Sequence, residues 1–260
     1  MVKSVDLIIF AGQSNMSGRG EASEAPECVT GYEYKPISEP ERLVPIREPF
    51  GLGEDKTGGL DDRYEGGTKR SGSMVSAFVN EYYRVCARQI VAVSASKGGT
   101  NTIEWLDGLI NDAVDRLDRA KEFLTENGIA IDNIFVIWCQ GESDGDIKQT
   151  EEGYIKSTRR LFDMFKAHGA QKCFMVQIGH YNYIKYPDTA NRDKYYKTIR
   201  IAQRKLCETD DDFILAASLE PHINEMKDGY HYHQSAYNAV GKAAGCKAGE
   251  YILNMDREDA

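Results

Sequence analysis

The chain has 260 residues, 41% of them hydrophobic, which is enough for one sizeable core. Its net charge of −9 argues against nucleic acid or an anionic membrane surface as a main partner. No run approaches the roughly 18 consecutive apolar residues that a spanning helix needs, so no membrane partner is expected. The start, Met1-Val2-Lys3-Ser4-Val5-Asp6, passes straight into a strand-like run; this fits a cytoplasmic chain and equally one from which a leader has been removed.

Residues 5–11 form an apolar run that predicts a buried strand, and Gly12-Gln13-Ser14-Asn15-Met16 reads as the sharp turn that leaves it. Residues 17–70 show no clear period and are rich in Gly, Glu, Pro and Lys. They read as a long irregular insertion, either a solvated excursion or a cover over the neighbouring turn. A helical pattern follows at 73–84, a strand at 89–94, and a long helix at 103–127, where Leu109, Ala113, Leu117, Ala120 and Leu124 recur at three- to four-residue spacing. Strands at 133–139, 173–178 and 213–219 then alternate with helices at 151–168, 192–207 and 235–253. Gly128 and Gly169 stand where C-terminal caps belong. The strand runs are nearly continuous in Val, Ile, Phe and Ala, as parallel strands covered on both faces should be. The alternation predicts an α/β fold, a doubly wound sheet of about five strands, in a single domain over 1–260. Six cysteines, Cys28, Cys86, Cys139, Cys173, Cys207 and Cys246, include no C-x-x-C pair and read as free thiols.

In a parallel sheet, ligands bind at the carboxyl ends of the strands. Ser14 stands at such an end, where it fits a nucleophile or, equally, a helix N-cap. A nucleophilic serine needs a base. Of five histidines, His168 sits at a helix end and reads as structural, and His180 and His222 flank strands. The stretch Asp228-Gly229-Tyr230-His231-Tyr232-His233 places an aspartate three residues before a histidine, a spacing that lets a carboxylate hold one imidazole nitrogen while the other faces a serine. His231 and His233 could instead form a metal pair, although no matching Cys/His/Asp cluster with zinc spacing accompanies them. Acyl transfer also needs donors for an oxyanion. Two strand-end loops offer them: Ser96-Lys97-Gly98-Gly99-Thr100-Asn101, and Trp138-Cys139-Gln140-Gly141-Glu142-Ser143-Asp144.

The G-Q-S-N-M, G-G-T, W-x-Q-G-E-S-D and D-G-x-H blocks, in this order from residue 12 to 231, resemble the SGNH-hydrolase superfamily. Within it they are most similar to the carbohydrate-esterase branch of sialate O-acetylesterases and acetylxylan esterases (carbohydrate esterase family six). The resemblance implies a three-layer α/β/α sandwich. It implies Ser14 as nucleophile and His231 as general base, with the Ser14 N–H, a Gly98 or Gly99 N–H and the Gln140 side chain as oxyanion donors. Asp228 matches the superfamily pattern for the acid. Glu152 is an alternative, because it opens a helix after the third block and could reach His231 from the other side.

The implied activity is deacetylation of carbohydrate esters without cofactor or metal. Acetylated xylan or xylo-oligosaccharide is the expected substrate and acetylated sialic acid the second. A non-catalytic carbohydrate-binding protein is the reading from another class, and a hydrolase for longer acyl chains a third. Asn101 and Trp105, which follow the glycine loop, are candidate substrate contacts; Tyr181, Tyr183, Tyr186, Tyr230 and Tyr232 cluster near strand-end loops.

Overall fold

The computed structural model describes residues 3–258. Nine strands form: β1 (Ser4–Gly12), β2 (Tyr32–Lys35), β3 (Glu39–Pro45), β4 (Arg63–Tyr64), β5 (Gly67–Thr68), β6 (Ile90–Ser96), β7 (Ala130–Cys139), β8 (Lys172–Gln177) and β9 (Phe213–Ser218). The helices are α1 (Ser14–Ser17), α2 (Val75–Cys86), α3 (Thr102–Glu104), α4 (Ile110–Glu126), α5 (Glu142–Asp146), α6 (Glu151–Ala167), α7 (Asp193–Thr209) and α8 (Gln234–Glu258).

The central sheet has seven strands in the order β3-β2-β6-β1-β7-β8-β9, and only β3 runs antiparallel to its neighbour. The alternation of β and α elements thus forms the expected doubly wound α/β architecture, with β1 in the middle. The expectation of about five strands is corrected to seven. Both additional strands, β2 and β3, come from the stretch that had no readable period. Their sequences, Tyr-Glu-Tyr-Lys and Glu-Pro-Glu-Arg-Leu-Val-Pro, carry the charges and prolines of a protected sheet edge rather than a core alternation.

The period-two geometry of β1 divides the core into two layers. Ile8 and Phe10 face α2 and α8, where they join Phe78, Tyr82, Tyr237 and Val240. Val5, Leu7, Ile9 and Ala11 face the α4 and α6 side, with Leu117, Leu124, Phe162 and Phe165. The predicted long helix at 103–127 is broken: Gly108 has φ +139°, and the five residues Trp105–Leu109 form a π-type turn between α3 and α4. Helix α8 packs against α2 through a stripe of glycines. A Cβ on Gly241 would stand 2.2 Å from Met74 O, on Gly245 2.3 Å from Phe78 O, and on Gly249 2.8 Å from Val85 Cβ. All six cysteines are free.

The 17–70 segment is fastened by buried charge. Arg70 donates to Ser96 O (2.9 Å), and Arg116 donates to Ser94 O (2.8 Å) and Glu54 O (2.7 Å), tying the segment to β6. Glu33, buried on β2, accepts from Gly51 N at 3.0 Å. Burial pushes its carboxyl up to about 8, against the opposing pull of Lys35 and of that hydrogen bond. An unfolded glutamate titrates near about 4.3, so between the two values the folded chain keeps a proton that the unfolded chain has released. Stability should therefore fall as pH rises through this window, by a few kcal/mol in order of magnitude. In Glu33→Gln the fall should shrink, leaving the part owed to other buried carboxyls such as Asp144, which urea midpoints near about pH 5 and about pH 8.5 will read.

Candidate active site

The first turn after β1 is held from both sides. Gln13 N donates to Cys139 O (3.0 Å) at the end of β7, and Lys97 N donates to Gly12 O (3.0 Å) at the end of β6. Gly12 has φ +141°, and a Cβ there would lie 2.0 Å from Cys139 O, so only glycine lets β1 approach β7 this closely. The chain then turns into α1, and Ser14 is its first residue.

Ser14 Oγ lies 3.0 Å from His231 Nε2, and His231 Nδ1 lies 2.8 Å from Asp228 Oδ2. The other carboxylate oxygen of Asp228 accepts from Tyr230 N (2.7 Å) and His231 N (2.8 Å), forming a tight turn that fixes the acid against its own histidine. Burial opposes the charge on Asp228, but the His231 and backbone donors outweigh it and hold the carboxyl down at about 2. A carboxylate on Nδ1 selects the tautomer in which Nε2 can accept the serine proton.

Glu152 lies elsewhere. It is exposed in the first turn of α6, beside the helix N-terminus, and the Nδ1 face of His231 is already taken by Asp228. The metal-pair alternative fails on direction: both ring nitrogens of His231 are engaged, and His233 Nδ1 faces Glu21 Oε1 at 3.2 Å. Among the described residues, no group of three or more His, Cys, Asp or Glu is arranged to hold a metal ion. His168, His180 and His222 pair with Asp118, Asp193 and Glu225 respectively.

The oxyanion expectations are met unevenly. Gly98 and Gly99 both line the cleft over Ser14. The Gly98 N–H, however, is given to Asp62 Oδ1 (3.0 Å) and is thereby committed. Gln140 is wholly buried and committed inward. Its side-chain NH2 donates to Thr100 O (3.0 Å), to Gln13 Oε1 (3.3 Å) and to Asp144, while its backbone carbonyl accepts from Tyr154 Oη (2.8 Å) and Gln203 Nε2 (2.9 Å) and its side-chain Oε1 is buried without a partner. It braces the loop rather than facing the cleft. Gln13 reads in the sequence only as part of the turn, yet its side chain stands in the cleft. Its Oε1 accepts from Gln140 Nε2, Gly141 N and Ser143 N at 3.3 Å each, its NH2 has no acceptor among the described residues, and the residue lines the cleft.

Asn101 and Trp105 are also corrected. Asn101 caps α3, accepting from Ile103 N and Glu104 N while Glu104 returns a bond to its backbone. Trp105 is fully buried, donates Nε1 to Thr100 Oγ1 (3.0 Å) and packs edge-on against Trp138. It supports the glycine loop from behind. Of the tyrosines, Tyr230 lines the cleft, whereas Tyr181 and Tyr232 are buried.

Two further groups had no signal in the sequence because their partners are distant along the chain. Asn15 donates to Glu142 Oε1 and to Tyr230 O (3.1 Å) and accepts from Tyr237 Oη (2.6 Å), which joins the serine turn, α5, the histidine loop and α8. Burial raises the pKa of Glu142, whose second oxygen is buried without a partner. Asp62, almost wholly buried, binds Arg19 through both oxygens (3.0 and 2.7 Å) and holds the Gly98 peptide. Asp62→Ala should release that peptide and lower kcat roughly 10-fold with little change in KM, while Asp62→Asn, which keeps an acceptor, should recover part of the loss. Steady-state kinetics on an aryl acetate will show whether the loss is in kcat.

The carboxyl end of the parallel sheet thus carries a serine turn, a glycine loop and an aspartate–histidine loop around one cleft. A family model described as carbohydrate esterase, sialic acid-specific acetylesterase, matches residues 4–248, and the chain belongs to that family. A solved protein from Arabidopsis thaliana is 21% identical with a TM-score of 0.70, over 95% of this chain and 98% of its own. A structure described as a novel carbohydrate acetylesterase from Xanthomonas citri is 13% identical with a TM-score of 0.52, over 95% of this chain and 57% of its own. At these identities the two structures show the shared fold. No curated protein matches the sequence.

Proposed function

We propose that the protein is a serine-dependent O-acetylesterase acting on acetyl esters of xylan or xylo-oligosaccharides. The observation that carries the reading is the hydrogen-bonded series Ser14–His231–Asp228 on the floor of an open cleft of about 270 Å³. His231 Nε2 takes the Ser14 proton as Oγ attacks the acetyl carbonyl. The oxyanion lies against the Ser14 and Gly99 N–H groups and the Gln13 amide. His231 then protonates the departing sugar oxygen, and a water that it activates releases acetate from Ser14. The expected donor set is thereby revised, with Gln13 in place of Gln140.

A second reading, deacetylation of O-acetylated sialic acid, is favoured by the description of the matching family. Relative release of acetate from acetylxylan, acetylated xylo-oligosaccharides and O-acetyl sialic acid separates the two. Fastest release from the xylan-derived esters is expected; faster release from sialic acid would install the second reading. Absence of turnover on all of them, and on an aryl acetate, would make the protein a carbohydrate binder. Faster turnover of butyryl than of acetyl esters would point to a longer-chain hydrolase.

A further inference from the structure

Asp146 closes α5 and lines the cleft beside Tyr230 and His231. Its Oδ1 takes three donors: Arg192 Nε at 2.9 Å, Arg192 Nη2 at 2.7 Å and Tyr196 Oη at 2.8 Å. Its Oδ2 has no partner among the described residues. Arg192 is itself gripped, with its guanidinium carbon 4.6 Å from the Tyr181 ring centre and 5.2 Å from that of Tyr230. The carboxylate is therefore held rigidly with one oxygen spare, although the serine chemistry makes no use of it.

Two cations line the same cleft, Arg19 and Lys69. Arg19 is committed to Asp62. Lys69 is exposed and has no partner among the described residues. A hydroxyl both donates and accepts, whereas a carboxylate only accepts. A fixed carboxylate oxygen, its charge balanced by Arg192, therefore accepts from a hydroxyl and offers an acidic ligand no donor, while a free lysine serves either. The cleft volume of about 270 Å³ suits one sugar ring with its acetyl group, and its open mouth leaves the rest of a saccharide outside.

We propose that Asp146 accepts a ring hydroxyl of the acetylated sugar, that Lys69 donates to the same ring, and that this pair makes the cleft select a neutral polyhydroxylated ring over an acidic one. The proposal rests on the carbohydrate O-acetylesterase reading. It gives that reading a residue-level basis for choosing between its two substrates. Asp146 acts on specificity, and the proton transfers remain with His231.

The test measures kcat/KM for acetylated xylobiose, O-acetyl sialic acid and 4-nitrophenyl acetate on the full chain and two variants. Asp146→Asn should lower the neutral-to-acidic ratio about 10-fold, because the hydroxyl loses a charged acceptor while the acid gains an amide donor and a guanidinium no longer balanced by a carboxylate. Lys69→Met should raise the same ratio about threefold or more, because the acid loses its only free counter-charge on the cleft wall. Asparagine keeps the oxygen that Arg192 and Tyr196 use and Lys69 is exposed, so folding should survive each change. Opposite shifts support the proposal. An unmoved ratio, shifts in the same direction, or an equal fall on all three esters would overturn it. Wild-type preference for the sialic ester would overturn the neutral selectivity while leaving the esterase reading standing. Turnover of the aryl ester with neither sugar ester would remove the carbohydrate reading and this proposal with it.

Discussion

Ser14→Ala should fold normally and hydrolyse an aryl acetate at least roughly 10³-fold more slowly than the wild type. The size of the effect follows from the arrangement around the hydroxyl. Ser14 is nearly buried at the head of α1, and its only side-chain partner is the imidazole at 3.0 Å. Removing one oxygen leaves the Gly12 and Gln13 anchors of the turn intact, so the backbone has no cause to move. Residual turnover will come from water placed by the oxyanion donors and His231, which is why the loss is bounded rather than complete. Mass spectrometry after treatment with a serine-directed phosphonate should find one adduct on Ser14 in the wild type and none in the variant. A clean variant with near-wild-type kcat/KM would remove Ser14 from the nucleophile's role.

Asp228→Asn should cost roughly 10²–10⁴ in kcat, with KM little changed. An amide that donates to Nδ1 favours the wrong tautomer, placing a proton on Nε2 where an acceptor is needed. The Asp228 oxygen that holds the Tyr230 and His231 N–H groups can be kept by the asparagine carbonyl, so the loop should persist. Glu152→Gln should change kcat less than twofold, since Glu152 is exposed on α6 and serves the helix dipole. The reverse outcome would move the acid to α6. The sign of the pH effect is also fixed. Asp228 titrates at about 2 in the folded protein, below the roughly 3.9 of an unfolded aspartate. Its contact with His231 stabilises the fold above that unfolded value and is lost only as pH falls towards about 2. Thermal melts of wild type and Asp228→Asn should converge across that interval.

The elements that carry the site were legible because each obeys a local rule. Continuous apolar runs mark β1, β6, β7, β8 and β9, and the blocks beyond them put Ser14, Gly98, Gly99 and the Asp228–His231 pair at the carboxyl end of the sheet. What could not be read has a common physical origin, namely side-chain geometry between distant segments. Gln140 and Gln13 are equivalent on paper, yet one amide is spent on Asp144 and Thr100 O while the other lines the cleft. Asn101 and Trp105 do stand next to the glycine loop, but the Asn101 carbonyl is spent on the cap of α3 and the Trp105 indole is buried behind the loop. Asp62 and Glu21 come from the segment with no period. They nonetheless hold Gly98 and the stretch around His233 and Gln234, because a loop can be pinned by single ion pairs that leave no periodic trace.

The glycine stripe between α2 and α8 bears on catalysis as well as on packing. Helix α8 begins at Gln234, three residues after His231, and its Tyr237 hydroxyl touches Asn15 beside Ser14. The distance between the two helix axes is therefore a ruler for the gap between imidazole and hydroxyl. Alanine at Gly241, where a methyl would meet Met74 O at 2.2 Å, must lift the start of α8 or displace α2. Either adjustment should be felt through Tyr237 at the Asn15 contact beside Ser14, so Gly241→Ala is expected to lower turnover of an aryl acetate as well as the melting temperature.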